Sequence, residues 1–142
     1  DRAWAMVGSD YEYAMIERKT GRSVAAIADR VPLTVVNFGS EGSDIHAEGS
    51  IIRIPVAPPS TVVDPTGGGD AYRAGLIKGL LLGLPLEVCG RMGALAATYA
   101  IERYGTQEHA YSAEEFVARF NGVFPGFAGS FSAPDLERPA PA

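Results

Sequence analysis

The chain has 142 residues, of which 46% are hydrophobic and 20% are charged. These values are ordinary for one globular domain and exclude an intrinsically disordered chain. The net charge of −5, without a block of basic residues, argues against nucleic acid or an anionic membrane as a partner. Cys89 is the sole cysteine, so no internal disulfide is expected, and the composition favours a reducing compartment such as the cytoplasm.

The first part of the chain carries alternating helix and strand patterns. The predicted elements are helices over 10–19 and 24–30, a buried strand over 33–38, a turn at 39–42 and a hairpin over 43–55. Ser9 or Asp10 is expected to cap the first helix, and Gly21 to end it. This mixture of helices and strands predicts a layered α/β fold.

The second part is predicted to be mainly helical. Its helices are expected over 71–82, 85–104 and 112–124. Gly75, Gly79 and Gly83 recur every four residues, so they share one helix face, which we expect to lie close to a sheet. The apolar run 74–84 contains Lys78 and is too short for a membrane span. Residues 128–142 are rich in Pro, Ser and Ala and are predicted to form a disordered tail.

The most informative stretch is a glycine turn at the start of the 71–82 helix. The glycines 67–69 allow close backbone approach, and a helix start supplies amides that suit an anion such as phosphate. Asp70 stands at this turn, where a carboxylate repels phosphate. It makes sense as a base that takes a proton from a hydroxyl attacking phosphorus. The local pattern alone favours the alternative that Asp70 is a helix N-cap.

Three motifs resemble the ribokinase/pfkB family of carbohydrate and nucleoside kinases. DPTGGGDAYRAG at 64–75 resembles the signature D-[TP]-T-G-A-G-D-x-F-x-A-G, with Gly68 for Ala and Tyr72 for Phe. NFGSEG at 37–42 resembles T-x-G-x-x-G, and SDYE at 9–12 resembles N-x-x-E. The resemblance implies the C-terminal half of a ribokinase-like three-layer α/β/α sandwich. YGTQE at 104–108 is similar to bacterial adenosine kinases, which implies the 5′-OH of adenosine as phosphoryl acceptor.

The resemblance also implies roles for individual residues. Asp70 would be the catalytic base, and the amides of Gly67, Gly68 and Gly69 would form an anion hole. The nucleotide-binding residues would be Asn37, Gly39, Gly42 and Gly105, and the metal-associated residues would be Glu12, Asp64 and Thr66. The cofactors would be ATP and Mg²⁺, with Glu12 in the outer shell of Mg²⁺ and with K⁺ at Asp64 and Thr66 beside the Gly105 loop. As alternatives, Glu12 is a first-turn helix residue, and Gly39 and Gly42 are turn glycines.

The implied family fold is about twice as long as this chain. Residues 1–127 are therefore expected to be the ATP-side part of a kinase domain, with the missing N-terminal half of the same protein as partner and a nucleoside or sugar as substrate. A homodimer is compatible with this organisation. The isolated chain is expected to be inactive. Measurable turnover by the isolated chain would contradict this expectation. The alternatives are a sugar kinase of the ribokinase or fructokinase type and a non-catalytic nucleotide-binding remnant.

Overall fold

The computed structural model describes residues 3–139, which divide into two compact units between residues 55 and 56. The first unit contains β1 (Ala5–Ser9), α1 (Asp10–Thr20), α2 (Val24–Ala28), β2 (Leu33–Asn37), β3 (Ser43–Ala47) and β4 (Ser50–Ile54). The second unit contains α3 (Gly68–Leu81), α4 (Leu86–Ile101), α5 (Ala113–Val123) and α6 (Ala133–Glu137). Short 3₁₀ turns span Gly39–Glu41 and Pro125–Phe127. The expected mixed α/β architecture is confirmed.

The four strands of the first unit form one sheet in the order β1-β2-β3-β4. β1 and β2 are parallel, whereas β2, β3 and β4 pair antiparallel. Four consecutive residues of β2 are buried, so both of its faces are covered, as predicted. Tyr13, Ile27 and Val36 form a core cluster that packs α1 and α2 on the sheet. The predicted hairpin is confirmed as β3 and β4.

The sequence pattern did not reveal β1. Its sequence, AMVGS, is short and includes a glycine and a serine, which are poor strand formers. Pairing with β2 along five residues makes it a strand, from Ala5 opposite Leu33 to Ser9 opposite Asn37. Tertiary pairing therefore overrides local propensity here.

The glycine face of α3 packs on another helix, not on a sheet as the spacing suggested. A Cβ at Gly75 would lie 2.5 Å from the Met92 carbonyl oxygen, and one at Gly79 would lie 2.9 Å from Cys89 Cα, both on α4. From the other side, a Cβ at Gly93 would lie 2.8 Å from the carbonyl oxygen of Tyr72. The small residues therefore let α3 and α4 approach at backbone distance. Gly83 lies beyond α3, in the turn to α4.

The expectation of a disordered tail over 128–142 is wrong for its described part. Ala133–Glu137 is helical, and Phe131 is buried with its ring 4.8 Å from that of Phe120. Lys78 Nζ also donates to the carbonyl oxygen of Arg138 at 2.7 Å. The Pro, Ser and Ala content of this segment suggested disorder. The packing of Phe131 on α5 could not be predicted, because its partner Phe120 is distant in sequence. Residues 140–142 lie outside the described residues.

The apolar run and the single cysteine of the sequence lie in the region of α3 and α4. Within residues 3–139, no helix combines the length and apolar character that crossing a bilayer requires. Most of the apolar run that includes Lys78 lies on α3, which packs one face on α4 and leaves Ile77 and Leu81 about half exposed. Cys89 is buried in α4 and donates to the Leu84 carbonyl oxygen, and burial raises the pKa of its thiol to about 11. This environment suits a core residue and not a nucleophile.

The close approach of α3 and α4 predicts an unusual response to alanine. Alanine is normally the better helix former, yet Gly75→Ala should lower the free energy of unfolding by about 1–3 kcal/mol because its Cβ overlaps α4 backbone. Gly122→Ala on α5 is the matched control, since a Cβ there meets nothing within 4 Å. Thermal unfolding of the intact protein should show a lower Tm for the first variant and an unchanged or higher Tm for the second. Similar Tm values for both variants would contradict the backbone contact.

Candidate active site

Polar residues gather at the carboxyl ends of the two parallel strands. Ser9 ends β1, Asn37 ends β2, and the two are opposite each other in the sheet register. Glu12 lies in the first turn of α1, directly after β1. Ligands of open α/β sheets bind outside the carboxyl ends of parallel strands. The sequence-predicted residues of the first unit therefore lie where such a fold places a ligand.

Glu12 forms a capping box with Ser9. Its Oε2 accepts hydrogen bonds from Ser9 N at 2.7 Å and from Ser9 Oγ at 3.1 Å, while Glu12 N donates to Ser9 Oγ at 3.2 Å. Gly8 leaves room for this carboxylate, since a Cβ there would lie 3.2 Å from Glu12 Oε2. Glu12 is therefore a first-turn helix residue, as the alternative proposed. The capping box also holds its carboxylate at the end of β1.

Asn37 is the clearest indication of a ligand in the first unit. Its side-chain Oδ1 is buried and has no hydrogen-bond partner among the described residues. Buried polar atoms are nearly always paired, so an unpaired one at a strand end suits an acceptor for a ligand donor. Gly39 follows with φ of +57°, and a Cβ there would meet no atom within 4 Å. This turn therefore leaves space beside the backbone.

Gly42 has a structural reason to be glycine. Its φ is +92°, and a Cβ would overlap the carbonyl oxygen of Ile54 at the end of β4. Arg53 on β4 fixes the same turn by donating to the Glu41 carbonyl oxygen at 2.6 Å and to Asp44 Oδ1 at 2.8 Å. The turn-glycine alternative accounts for Gly42 and for the left-handed φ of Gly39, and Gly39 differs from Gly42 in having open space beside it.

In the second unit, Asp64 joins two loops that precede and follow long helices. Its Oδ1 accepts from Thr66 N at 2.9 Å and its Oδ2 accepts from Gly105 N at 3.1 Å. Hydrogen bonds from the Thr66 hydroxyl and amide, and then from the Gly105 amide, lower the pKa of Asp64 below its ordinary value. The structure thus brings together Asp64, Thr66 and Gly105, which the sequence analysis grouped around a monovalent cation.

The glycine turn that follows Asp64 starts α3. Gly67 has φ of +85° and is the N-cap, and a Cβ there would lie 3.0 Å from Thr106 Cα in the Gly105 loop. Gly68 donates weakly to the Pro65 carbonyl oxygen at 3.4 Å. A Cβ at Gly69 would meet nothing within 4 Å, so the first helical turn is open at this point. First-turn amides have no acceptor within their own helix, which suits them to an anion.

Asp70 lies in that first turn, three residues after the N-cap. The N-cap alternative for Asp70 is therefore wrong, because Gly67 occupies the cap with its left-handed backbone. The Asp70 side chain is 84% exposed, and its Oδ1 accepts from Arg73 Nη1 at 2.7 Å. An exposed carboxylate beside open helix-start amides is able to reach a hydroxyl placed there.

A further group near this loop was missed by sequence reasoning. Glu102 is the C-cap of α4, and its carboxylate accepts two hydrogen bonds from Arg119 on α5 and two from Ser60. The Arg119 hydrogen bonds dominate and outweigh the effect of burial, so the pKa of Glu102 falls to about 2. The three residues are 17 to 59 positions apart in the chain, and their types are common on protein surfaces. No local signal therefore distinguishes them.

The donor atoms fit some of the implied cofactors. An ionised carboxylate at Asp64 and the Thr66 hydroxyl offer hard oxygen ligands, which suit K⁺. Among residues 3–139 there is no group of three or more His, Cys, Asp or Glu side chains suited to a metal ion. Mg²⁺ bound mainly through phosphate and water oxygens does not require such a group. The unpaired Asn37 oxygen and the open backbone at Gly39 suit a nucleotide.

Comparison with known proteins identifies the family. A family model described as pfkB family carbohydrate kinase matches residues 1–113. The chain belongs to this family. A nucleoside kinase of Methanothermobacter thermautotrophicus is 36% identical to it over 116 residues, which cover 81% of this chain and 37% of that relative. The predicted family membership is thus confirmed.

Solved structures of pfkB relatives share the fold. The nucleoside kinase of Burkholderia thailandensis in complex with inosine has a TM-score of 0.84 and 34% identity, covering 87% of this chain and 40% of that one. A Methanocaldococcus jannaschii nucleoside kinase, described as an archaeal member of the ribokinase family, has a TM-score of 0.78 and 30% identity, covering 83% and 40%. The ribokinase-like fold is therefore confirmed, and the chain spans about two fifths of these relatives.

The low pKa of Glu102 predicts a specific acid sensitivity. A carboxyl group with a depressed folded-state pKa stabilises the protein above its ordinary pKa, and this contribution is lost as the pH falls. For Glu102 the loss runs from about 4.5 down to about 2. The Tm of the wild type should therefore fall more steeply across this window than that of Glu102→Gln.

Glu114→Gln, an exposed substitution on α5, is the control and should keep the wild-type slope. Thermal unfolding of the intact protein at a series of pH values measures all three. Parallel slopes for the wild type and Glu102→Gln would show that the Glu102 carboxylate gains nothing from Arg119 and Ser60.

Proposed function

We propose that the full-length protein containing this chain is an ATP-dependent nucleoside kinase that phosphorylates the 5′-OH of adenosine. The observation that carries this proposal is the start of α3. The exposed Gly69, whose first-turn amide has no acceptor within its own helix, and the exposed Asp70 carboxylate share one helical turn there. An anion site with a base beside it suits phosphoryl transfer to a hydroxyl. Residues 1–127 would form the ATP-side part of the kinase domain.

Asp70 acts as the catalytic base in this proposal. The 5′-oxygen of the nucleoside bonds to the γ-phosphorus while the bond between that phosphorus and ADP breaks, and the hydroxyl proton passes to the Asp70 carboxylate. Arg73 donates to Asp70 Oδ1 at 2.7 Å, which orients the carboxylate. The 84% exposed side chain of Asp70 is accessible to a substrate hydroxyl, as a general base must be.

The glycine turn stabilises the charge that develops on the transferred group. The amides of Gly67, Gly68 and Gly69 supply the anion hole, helped by the positive end of the α3 dipole. Gly67 must be glycine to hold its left-handed conformation against Thr106, which fixes the direction of the turn. Of the three, Gly69 has the most open surroundings.

The remaining predicted residues hold cofactors. Asn37, Gly39 and Gly42 bind the nucleotide, with the Asn37 oxygen accepting a ligand hydrogen bond and Gly42 fixing the turn. Glu12 lies in the outer shell of Mg²⁺, which neutralises phosphate charge when it is bound. K⁺ is held at Asp64 and Thr66, where its charge orders the loop of Gly105.

Two observations favour a nucleoside over a simple sugar. The relatives from Methanothermobacter and Burkholderia are named nucleoside kinases, and the latter is described in complex with inosine, a purine nucleoside. The stretch 104–108 resembles adenosine kinases, and its Gly105 and Thr106 contact Asp64 and Gly67. Adenosine is therefore the first substrate to test, with ribose and fructose as the sugar-kinase alternative.

The assignment of Asp70 predicts a selective loss of rate. In the full-length protein, Asp70→Asn should lower kcat by about 10²–10⁴-fold because it removes the base and keeps the side-chain shape. The KM for adenosine should change much less. Asp29→Asn, an equally small change at an exposed residue after α2, is the control and should keep the wild-type kcat.

ATP-dependent phosphate transfer to adenosine, inosine, ribose and fructose gives the measurement. Transfer to ribose or fructose in preference to the nucleosides would replace the adenosine proposal by a sugar kinase. If no acceptor reacts, or if Asp70→Asn matches the wild type, the catalytic reading of the α3 turn is wrong. A nucleotide-binding remnant would then explain the intact glycine turn.

A further inference from the structure

The segment that leads to Asp64 is held by α4. Residues 57–64 have no regular secondary structure. Thr98 Oγ1 donates to the Ala57 carbonyl oxygen at 2.5 Å, and the Ile101 carbonyl oxygen accepts from the amides of Val63 at 2.8 Å and Asp64 at 3.1 Å. The position of the Asp64 backbone therefore follows the carboxyl end of α4.

Glu102 connects both chain segments that meet at Asp64. Ser60, four residues before Asp64, donates from its amide and hydroxyl to Glu102 Oε1 at 2.7 and 3.0 Å. Three residues after Glu102, the Gly105 amide donates to Asp64 Oδ2. One carboxylate thus anchors the segment that enters Asp64 and stands at the base of the loop that closes on it.

Arg119 fixes the orientation of that carboxylate. It donates from Nη1 to Oε2 of Glu102 at 2.7 Å and from Nη2 to Oε1 at 2.5 Å, and its guanidinium lies 4.6 Å from the ring centroid of Tyr99. The side chains of Glu102 and Arg119 are only 11% and 25% exposed. Because both nitrogens of the guanidinium bind both carboxylate oxygens, this pair fixes the orientation of the Glu102 carboxylate, which a single hydrogen bond would not do.

We propose that Arg119 is a positioning residue for the monovalent-cation site at Asp64 and Thr66, and that it acts through Glu102 and Ser60. This inference rests on the proposed function, which places K⁺ at that site. Without the guanidinium, only Ser60 holds the Glu102 carboxylate, so the orientation of this acceptor is less well defined. Asp64 and the Gly105 loop then separate more easily, so the cation binds more weakly. The first turn of α3 keeps its own capping and its Asp70 carboxylate.

The experiment measures the K⁺ response of the full-length protein, with choline replacing K⁺ at constant ionic strength. Arg119→Met removes the guanidinium but keeps an apolar side chain over Tyr99, and Arg119→Lys keeps the charge without the bidentate geometry. Arg138→Met is the matched control, because Arg138 forms an ion pair with Asp135 at 3.1 Å on α6. The two readouts are the K⁺ concentration for half-maximal phosphorylation and the K⁺-dependent rise in Tm without substrates.

We expect Arg119→Met to raise the half-saturating K⁺ concentration about tenfold in both readouts, the size typical of losing a residue that orients a metal ligand. The kcat at saturating K⁺ should stay close to the wild-type value. Arg119→Lys should lie between the wild type and Arg119→Met, and Arg138→Met should match the wild type.

The possible results separate this proposal from the proposed function. An Arg119→Met variant with lower Tm or kcat but an unchanged half-saturating K⁺ concentration would reduce Arg119 to a structural role. A wild type that phosphorylates adenosine, but responds to K⁺ in neither readout, would overturn the positioning role and leave the kinase in place. A wild type that phosphorylates nothing would overturn the kinase, while a K⁺-dependent Tm that shifts in Arg119→Met would still support the positioning role.

Discussion

The Asp64 carboxylate, through the two loops that it joins, determines the geometry of the candidate site in the second unit. Its two oxygens accept from Thr66 at the entrance to α3 and from Gly105 beyond the end of α4. Both loops belong to helices that pack at backbone distance because Gly75 and Gly93 carry no side chain. The helix contact sets the spacing of the loops, and the carboxylate fixes their relative position. The relative position of the α3 start and the Gly105 loop is thereby fixed.

In the first unit, the main constraint is the fixed turn at the carboxyl end of β2. The turn after β2 is fixed by β4, because Arg53 donates to the Glu41 carbonyl oxygen and Gly42 packs closely on the Ile54 carbonyl oxygen. That arrangement leaves the Gly39 side open and the Asn37 oxygen unpaired among the described residues. An unpaired buried oxygen costs stability, and because the Thr34 hydroxyl within β2 is unpaired as well within residues 3–139, it is the strand-end position of Asn37 that suits a ligand.

The sequence predicted much of this chemistry because glycine and capping residues have strong local signals. The start of α1 at Ser9 or Asp10, the start of α5 at Ser112, the buried strand β2 and the helix after the 67–69 turn followed from spacing and residue type. The partner of the glycine face could not be predicted, since a stripe of small residues fits a sheet or a helix equally well. The Arg119 and Glu102 pair was also beyond reach, because its contacts join segments that are distant in sequence and carry ordinary surface residues.

The most direct test of the central claim is a crystal structure of the full-length protein with adenosine and a non-hydrolysable ATP analogue. An Asp70 carboxylate oxygen should lie about 2.6–3.2 Å from the 5′-oxygen of the nucleoside, the reach of a general base. The terminal phosphate should lie against the amides at the start of α3. A 5′-oxygen remote from Asp70 would contradict its role as the base, and a phosphate bound away from this turn would contradict the anion site.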